Sequence, residues 1–108
     1  MDKEQLLFDK IVIKLSKENT KVKAGKMMSA PGIKYKNKVF AFYYDKEMIF
    51  RLGESAEPKK LGVKKFHLLN PFRNKAPMKN WFVIPYSESK HWEKLAKFAL
   101  DVLSDESM

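Results

Sequence analysis

The sequence contains no cysteine, so it can form neither a disulfide framework nor a thiolate metal site. Only Arg51 and Arg73 among the 22 basic residues are arginine, the residue whose planar fork binds phosphates and bases bidentately. Glycine occurs only four times, which disfavours a glycine-rich phosphate loop. The longest unbroken apolar run, residues 39–44, is far shorter than a membrane-spanning helix, and the first residues contain no apolar signal segment. We therefore expect a soluble, cytoplasmic protein.

Positive charge is concentrated in the middle of the chain. The formal net charge is +9, and residues 10–79 hold 18 basic and 5 acidic side chains, a net of +13. Residues 1–9 and 80–108 each carry a net charge of −2. A surface of this kind attracts polyanions whatever its biological role. Because 20 of the basic residues are lysine, the excess also fits a solubilising surface.

The length allows one domain, and we treat residues 1–108 as a single unit. Apolar residues recur at helical spacing behind Asp2 and predict an N-terminal helix. These residues are Leu7, Phe8, Ile11, Val12 and Leu15. Residues 11–15 also alternate in the manner of a strand, but the apolar pattern is too long for a half-buried strand.

Between residues 21 and 52 the pattern changes to that of short strands. The breaks between these strands are Pro31-Gly32, Lys36-Asn37 and Asp45-Lys46. Residues 53–70 predict a loop or a short helix after Pro58, with a possible strand at 66–69. Residues 80–86 predict one more strand.

The last segment predicts a second helix, which Ser87 or Ser89 would cap. One apolar stripe runs along it: Trp92, Leu95, Ala96, Ala99, Val102 and Leu103. The order of helix, strands and helix predicts an α+β fold. We expect a two-layer sandwich in which an antiparallel β-sheet carries the N- and C-terminal helices on one face.

Residues 38–52 predict a tight hairpin with a two-residue turn. The expected pairs are Val39 with Leu52, Ala41 with Phe50 and Tyr43 with Met48. Because this face is wholly apolar or aromatic, we place it under the helices. Part of the stretch fits an RNA-recognition strand, but residues 16–32 lack the apolar helical stripe which that fold requires before it.

The other face of the hairpin would carry Phe40, Phe42 and Tyr44 beside Arg51. Another strand, a loop or a partner subunit could cover these aromatic side chains, or they could form a stacking or ligand-binding surface. An exposed aromatic patch of this size also predicts a homodimer that covers part of it.

A second candidate surface lies in residues 73–81, where three basic residues cluster around the apolar Pro77-Met78: Arg73, Lys75 and Lys79. Met78 and Trp81 could close the end of the core, or the basic loop could hold an acidic peptide or a nucleic-acid backbone. The full candidate interaction surface is Phe40, Phe42, Tyr44, Arg51, Arg73, Lys75, Met78, Lys79 and Trp81.

Patterns that support catalysis or metal binding are absent from the sequence. His91, beside Trp92, is expected on the surface of the last helix, and His67 has no carboxylate or serine nearby in the sequence. No spacing suggests a third metal ligand, and no phosphate loop or nucleophile elbow occurs. We therefore expect no enzyme, no cofactor and no metal.

Two short motifs stand out: Lys26-Met27 with Gly32-Ile33, and Pro77-Met78-Lys79 with Trp81. In their order and spacing they resemble the N-terminal domain family of the TfoX/Sxy competence regulators. The first family motif, lysine-methionine-phenylalanine-glycine-glycine, is matched by Lys26 and Met27, while residues 28–30 depart from it and Gly32 and Ile33 resume the pattern. The second motif, R-P-M-K-x-W, is kept at Pro77, Met78, Lys79 and Trp81, with Ala76 in place of the arginine.

The resemblance covers roughly residues 5–104. It implies a two-layer α/β domain with an antiparallel sheet, like the fold of secretion chaperones, and it brings no agreed catalytic residues. From it we expect a non-enzymatic regulatory or protein-interaction module that binds another protein or itself. The alternative is an accessory protein that binds nucleic acid weakly through its basic middle. We expect no membrane partner.

Overall fold

The computed structural model describes residues 2–27, 30–69 and 78–106. The chain begins with helix α1 (Lys3–Glu18), followed by strands β1 (Val22–Met27), β2 (Ala30–Tyr35), β3 (Lys38–Tyr44) and β4 (Glu47–Arg51). A 3₁₀ turn (Pro58–Leu61) leads to strands β5 (His67–Leu69) and β6 (Met78–Ile84). A second 3₁₀ turn (Tyr86–His91) leads to helix α2 (Trp92–Glu106).

The six strands form one antiparallel sheet in the order β1-β2-β3-β4-β6-β5. The first four strands follow one another as a meander, and β6 inserts between β4 and β5. Residues of both helices share one buried core with one face of the sheet. The prediction of an α+β sandwich with helices on one face is therefore confirmed.

Each helix packs through the apolar stripe that the sequence predicts. Phe8, Ile11 and Leu15 of α1 are buried, and so are the stripe residues of α2 except Val102, which is half-buried. The predicted serine cap of α2 is wrong. Pro85 precedes a 3₁₀ turn that contains a non-helical Glu88, and the regular helix begins only at Trp92.

The hairpin of β3 and β4 turns at Asp45 and Lys46, whose φ angles are 52° and 65°. Positive φ at both central positions is the geometry whose twist matches the two strands. The predicted pairs of Ala41 with Phe50 and Tyr43 with Met48 are confirmed, and all four residues belong to the core beneath the helices.

Phe40 and Val39 lie on the faces opposite to those predicted. Ile33 pairs with Ala41 but Lys34 pairs with Val39, so Phe40 is an extra residue in β3. Such a bulge reverses the alternation of side chains at that point. Phe40 therefore packs in the core under the helices, and Val39 packs on the other face.

The predicted pair of Val39 with Leu52 is also wrong. The ladder between β3 and β4 includes Ala41 and Phe50 and does not extend to that pair. The N–H of Leu52 instead donates to the carbonyl of Asn80 at 3.0 Å, while its side chain stays in the core.

The close approach of β3 leaves little room beside Gly32, so alanine substitutions at two paired glycines should differ in their effect on stability. Gly25 and Gly32 face each other across β1 and β2. A Cβ on Gly32 would lie 2.9 Å from the carbonyl oxygen of Ala41, whereas one on Gly25 would meet only the flexible Lys34 side chain at 3.1 Å. We expect Gly32→Ala to lower the free energy of unfolding by about 1–2 kcal/mol.

The matched control is Gly25→Ala, for which we expect a change within about 0.5 kcal/mol. Urea denaturation of both variants measures the difference. Equal losses of unfolding free energy in the two variants would show that the carbonyl oxygen of Ala41 does not exclude a side chain at position 32.

Candidate interaction surfaces

The sheet face away from the helices carries a small cluster of its own, made of Phe42, Ile49, Trp81 and Val83. Phe42 pairs with Ile49, which in turn pairs with Val83 across three neighbouring strands. The rings of Phe42 and Trp81 lie 5.5 Å apart at an angle of 58°. Because none of the four is more than 7% exposed, this second cluster is a packed core rather than a wet surface.

The predicted patch of Phe40, Phe42 and Tyr44 is therefore not formed. Phe40 is buried under the helices, Phe42 is buried in the second cluster, and only Tyr44, at the tip of the hairpin, is exposed, at 66%. The bulge and the second cluster remove the reason that the sequence offered for a homodimer. Self-association stays a prediction without that support.

A cavity of about 410 Å³ adjoins the second cluster and joins two of the predicted site residues. Arg51 and Trp81 pair directly across β4 and β6, and both line the cavity together with Met27, Lys38 and Val39. Apolar walls with two cationic side chains suit a small anionic group.

The predicted basic loop is only partly within the described residues. Arg73 and Lys75 lie outside them. Met78 and Lys79 belong to β6, and their side chains also lie outside the described part of the chain. Trp81 is the member of this group that the structure places, and it packs in the second cluster.

A second depression, of about 380 Å³, opens where β1 and β2 meet the turn between β2 and β3. We call its four basic residues the lysine cluster: Lys21, Lys23, Lys34 and Lys36. Lys23 pairs with Lys34 in the ladder, and the N–H of Lys36 donates to the carbonyl of Lys21 at 3.2 Å. Pairing of two antiparallel strands thus gathers charges that stand more than ten residues apart in the sequence.

The lysine cluster differs from lysines on the two helices, which have acidic neighbours. Lys14 Nζ lies 2.9 Å from Glu93 Oε2, and Lys97 Nζ lies 3.6 Å from Glu18 Oε1. The hydrogen bond to Glu93 also raises the pKa of Lys14. Within residues 2–27, 30–69 and 78–106, no member of the lysine cluster forms an ion pair with a carboxylate. Lys36 Nζ lies 5.5 Å from the centre of the Tyr35 ring, but no described carboxylate neutralises the charge of the cluster.

A buried carboxylate that the sequence did not predict lies at the corner before α2. Glu88 is 6% exposed, and its Oε1 accepts the backbone N–H groups of Lys64 at 2.9 Å and Lys65 at 3.2 Å. Burial alone would raise the pKa of Glu88. The two hydrogen bonds and the nearby His91 lower it by more than burial raises it, so the pKa lies below its ordinary value. The carboxylate therefore fixes the loop that precedes β5.

The prediction that His91 lies on the helix surface is wrong. Its side chain is 13% exposed, and its Nε2 lies 3.8 Å from Glu88 Oε2. That nitrogen has no hydrogen-bond partner among the residues described. Gly62, with φ of 94°, leaves room for the ring, because a Cβ there would stand 3.0 Å from His91 Cε1. The three-residue spacing of Glu88 and His91 was the signal that could have indicated this pair.

Within the described ranges, no three or more histidine, cysteine, aspartate or glutamate residues come together in a group that could hold a metal ion. In those same ranges neither helix is long and apolar enough to cross a lipid bilayer. Comparisons of the chain with protein-family models, with curated proteins and with solved structures find no match.

Proposed function

We propose that this chain is a non-enzymatic protein-interaction module, of the regulatory kind that its resemblance to the TfoX N-terminal family implies. Its partner would be a protein with an acidic segment, and the lysine cluster would receive that segment. The supporting observation is the lysine cluster itself, in which four lysines line one depression and none pairs with a carboxylate among the described residues.

The electrostatic reasoning follows from like charges held close together. Ammonium groups on neighbouring strands repel one another, and like charges directly opposite in a sheet destabilise it. Carboxylates of a partner relieve this repulsion on binding. Complementary charge of this kind mainly raises the association rate and selects the partner.

The second candidate function is weak binding of nucleic acid, which the same lysine cluster favours. Two observations argue against a specialised role of that kind. Phe42 and Trp81 are buried, so bases cannot stack on them without opening the second cluster, and stacking supplies much of the affinity of single-strand binders. The lysine cluster contains no arginine, so it lacks bidentate forks.

We therefore predict that DNA and RNA bind only through charge. The expected dissociation constant is about 10⁻⁴–10⁻⁶ M at physiological salt, without preference among sequences. A salt titration with single-stranded and duplex DNA measures this. Micromolar binding that persists above about 0.3 M salt and prefers single strands would favour the nucleic-acid function instead.

The direct test reverses two charges of the lysine cluster. Partner proteins are captured from nuclease-treated extract of the native host, identified by mass spectrometry, and purified for binding measurements. The double variant Lys23→Glu/Lys34→Glu should weaken binding of the purified partner at least about tenfold.

The matched control is Lys10→Glu/Lys17→Glu, which changes the net charge equally on the exposed side of α1. We expect this control to weaken binding much less. Equal losses of partner affinity in the two double variants would show that only the net charge matters. Recovery of nucleic acid without a protein partner would overturn the proposal.

A further inference from the structure

Along the outer edge of β1 the N–H of Val22 donates to the carbonyl of Asn19 at 3.1 Å, but the backbone groups that face outward beyond Val22 have no partner among the described residues. β1 is the outermost strand on its side of the sheet and is six residues long, twice the length of β5 at the other edge. Lys23, Ala24 and Lys26 are exposed along it. An edge strand of this length is a template for pairing with another strand.

The register shows which groups face outward. The N–H of Lys36 donates to the carbonyl of Lys21. At this pair of residues the backbone groups of the first strand therefore face β2. Because antiparallel pairs alternate, Lys23 and Gly25 also point towards β2, whereas Ala24 and Lys26 point away. No described residue provides a backbone hydrogen bond to the N–H or the carbonyl of Ala24 or Lys26.

The charges beside this edge select its occupant. Val22, Ile33 and Tyr35 lie in the core under the helices, so alternation places Lys23 and Lys34 together on the other face. Two copies of the chain that met at this edge would bring their lysine clusters together, and this repulsion disfavours a second copy. The same charges attract a strand that carries carboxylates at alternate positions.

We propose that the edge of β1 receives an acidic, extended segment of a partner protein as a seventh strand. The carbonyl and N–H groups of Ala24 and Lys26 would bind its backbone, and its alternate carboxylates would lie beside Lys23 and Lys34. Addition of a strand to an open edge derives affinity from main-chain hydrogen bonds and selectivity from alternate side chains. This inference rests on the proposed function and adds to it the partner's conformation.

Synthetic peptides provide the first test. The probe is an end-capped peptide of about eight residues in which threonine and glutamate alternate, and the controls are the threonine–lysine peptide and an oligothymidylate. We expect the glutamate peptide to bind at least about tenfold more tightly than the lysine peptide. Hydrogen exchange, followed by NMR, should slow at least about tenfold at the amides of Ala24 and Lys26.

A pair of substitutions at one exposed position provides the second test. Ala24→Pro removes the outward N–H, and proline is tolerated on an edge strand whose N–H faces solvent. Ala24→Val keeps the N–H and favours a strand. With unchanged melting temperatures, the proline variant should bind the glutamate peptide at least about tenfold more weakly, and the valine variant should bind like the parent chain.

Several outcomes would overturn the inference. In the peptide test these are a glutamate peptide that does not bind, one that binds without protecting the two amides, or oligothymidylate that binds as tightly as the peptide. Equal affinity of the two position-24 variants for the peptide, or a dimer through β1 in sedimentation, would also overturn it. If a captured partner still depends on Lys23 and Lys34 but tolerates Ala24→Pro, the inference fails while the proposed function stands. If no protein partner depends on the lysine cluster, the proposed function fails as well.

Discussion

Phe50→Ala is expected to lower the free energy of unfolding by about 3–5 kcal/mol, the range of large core truncations. Phe50 is 0% exposed and lies between Ala41 of β3 and Phe82 of β6, in the middle of the sheet. The two helices cover this part of the core, so the cavity left by the ring cannot collapse easily. Urea denaturation measures the loss.

Tyr44→Ala is the matched control because it removes an aromatic ring from the same hairpin at a side chain that is 66% exposed. We expect its effect to stay within about 0.5 kcal/mol. A Phe50→Ala protein that melts within about two degrees of the parent would contradict the placement of this ring at the centre of the core.

Glu88→Ala is expected to lower the melting temperature at neutral pH by about 10–15 °C. The substitution leaves the part-buried backbone N–H groups of Lys64 and Lys65 without their acceptor, beside a side chain that is only 6% exposed. Glu88→Gln should lose much less, since its amide oxygen can still accept both bonds. Thermal unfolding followed by circular dichroism measures both variants.

The same carboxylate makes stability depend on pH in a predictable direction. The pKa of Glu88 lies below its ordinary value of 4.5 in the folded chain, so the unfolded chain binds a proton more readily. The stabilisation is complete above pH 4.5 and is lost as the pH falls through the folded-state pKa. Between about pH 5 and pH 3 the parent should therefore lose more stability than Glu88→Gln.

Glu93→Gln is the control for this pH series. Its hydrogen bond to Lys14 lowers the pKa of Glu93 despite some opposing burial, but both side chains are more than 40% exposed, so solvent screens the pair. The variant should retain most of the parent's pH dependence. A Glu88→Gln protein with an unchanged pH dependence would contradict the role assigned to the buried carboxylate.

Local patterns predicted both helices and most of the strands, but the predicted break at Pro31-Gly32 is wrong, because both residues lie within β2 and pair with β1. The apolar spacing of α1 and α2 and the turn at Asp45 and Lys46 depend on neighbouring residues, and the structure confirms each of them. The faces of Phe40 and Val39 were predicted wrongly because the bulge arises from the pairing of β3 with β2. Strict alternation along one strand contains no signal for an extra residue.

The candidate sites were harder to predict for the same reason. The lysine cluster and the contact of Glu88 with Lys64 and Lys65 both join residues that are distant in the sequence. Composition located an excess of charge between residues 10 and 79, but only the register of β1 and β2 determines which lysines become neighbours. The sequence indicates Arg51 and Trp81 through two separate patterns, and the structure pairs them across β4 and β6.

The chain contains two tryptophans, one on each side of the sheet. Trp81 packs in the second cluster, while Trp92 lies in the main core, where its Nε1 donates to the carbonyl of Ile84 at 3.2 Å. The main core and the second cluster thus each contain one fluorescent tryptophan. In Trp81→Phe the remaining Trp92 reports on the main core alone, and in Trp92→Phe the remaining Trp81 reports on the second cluster. The urea concentrations at which the two emission signals change show whether the main core and the second cluster unfold together or one after the other.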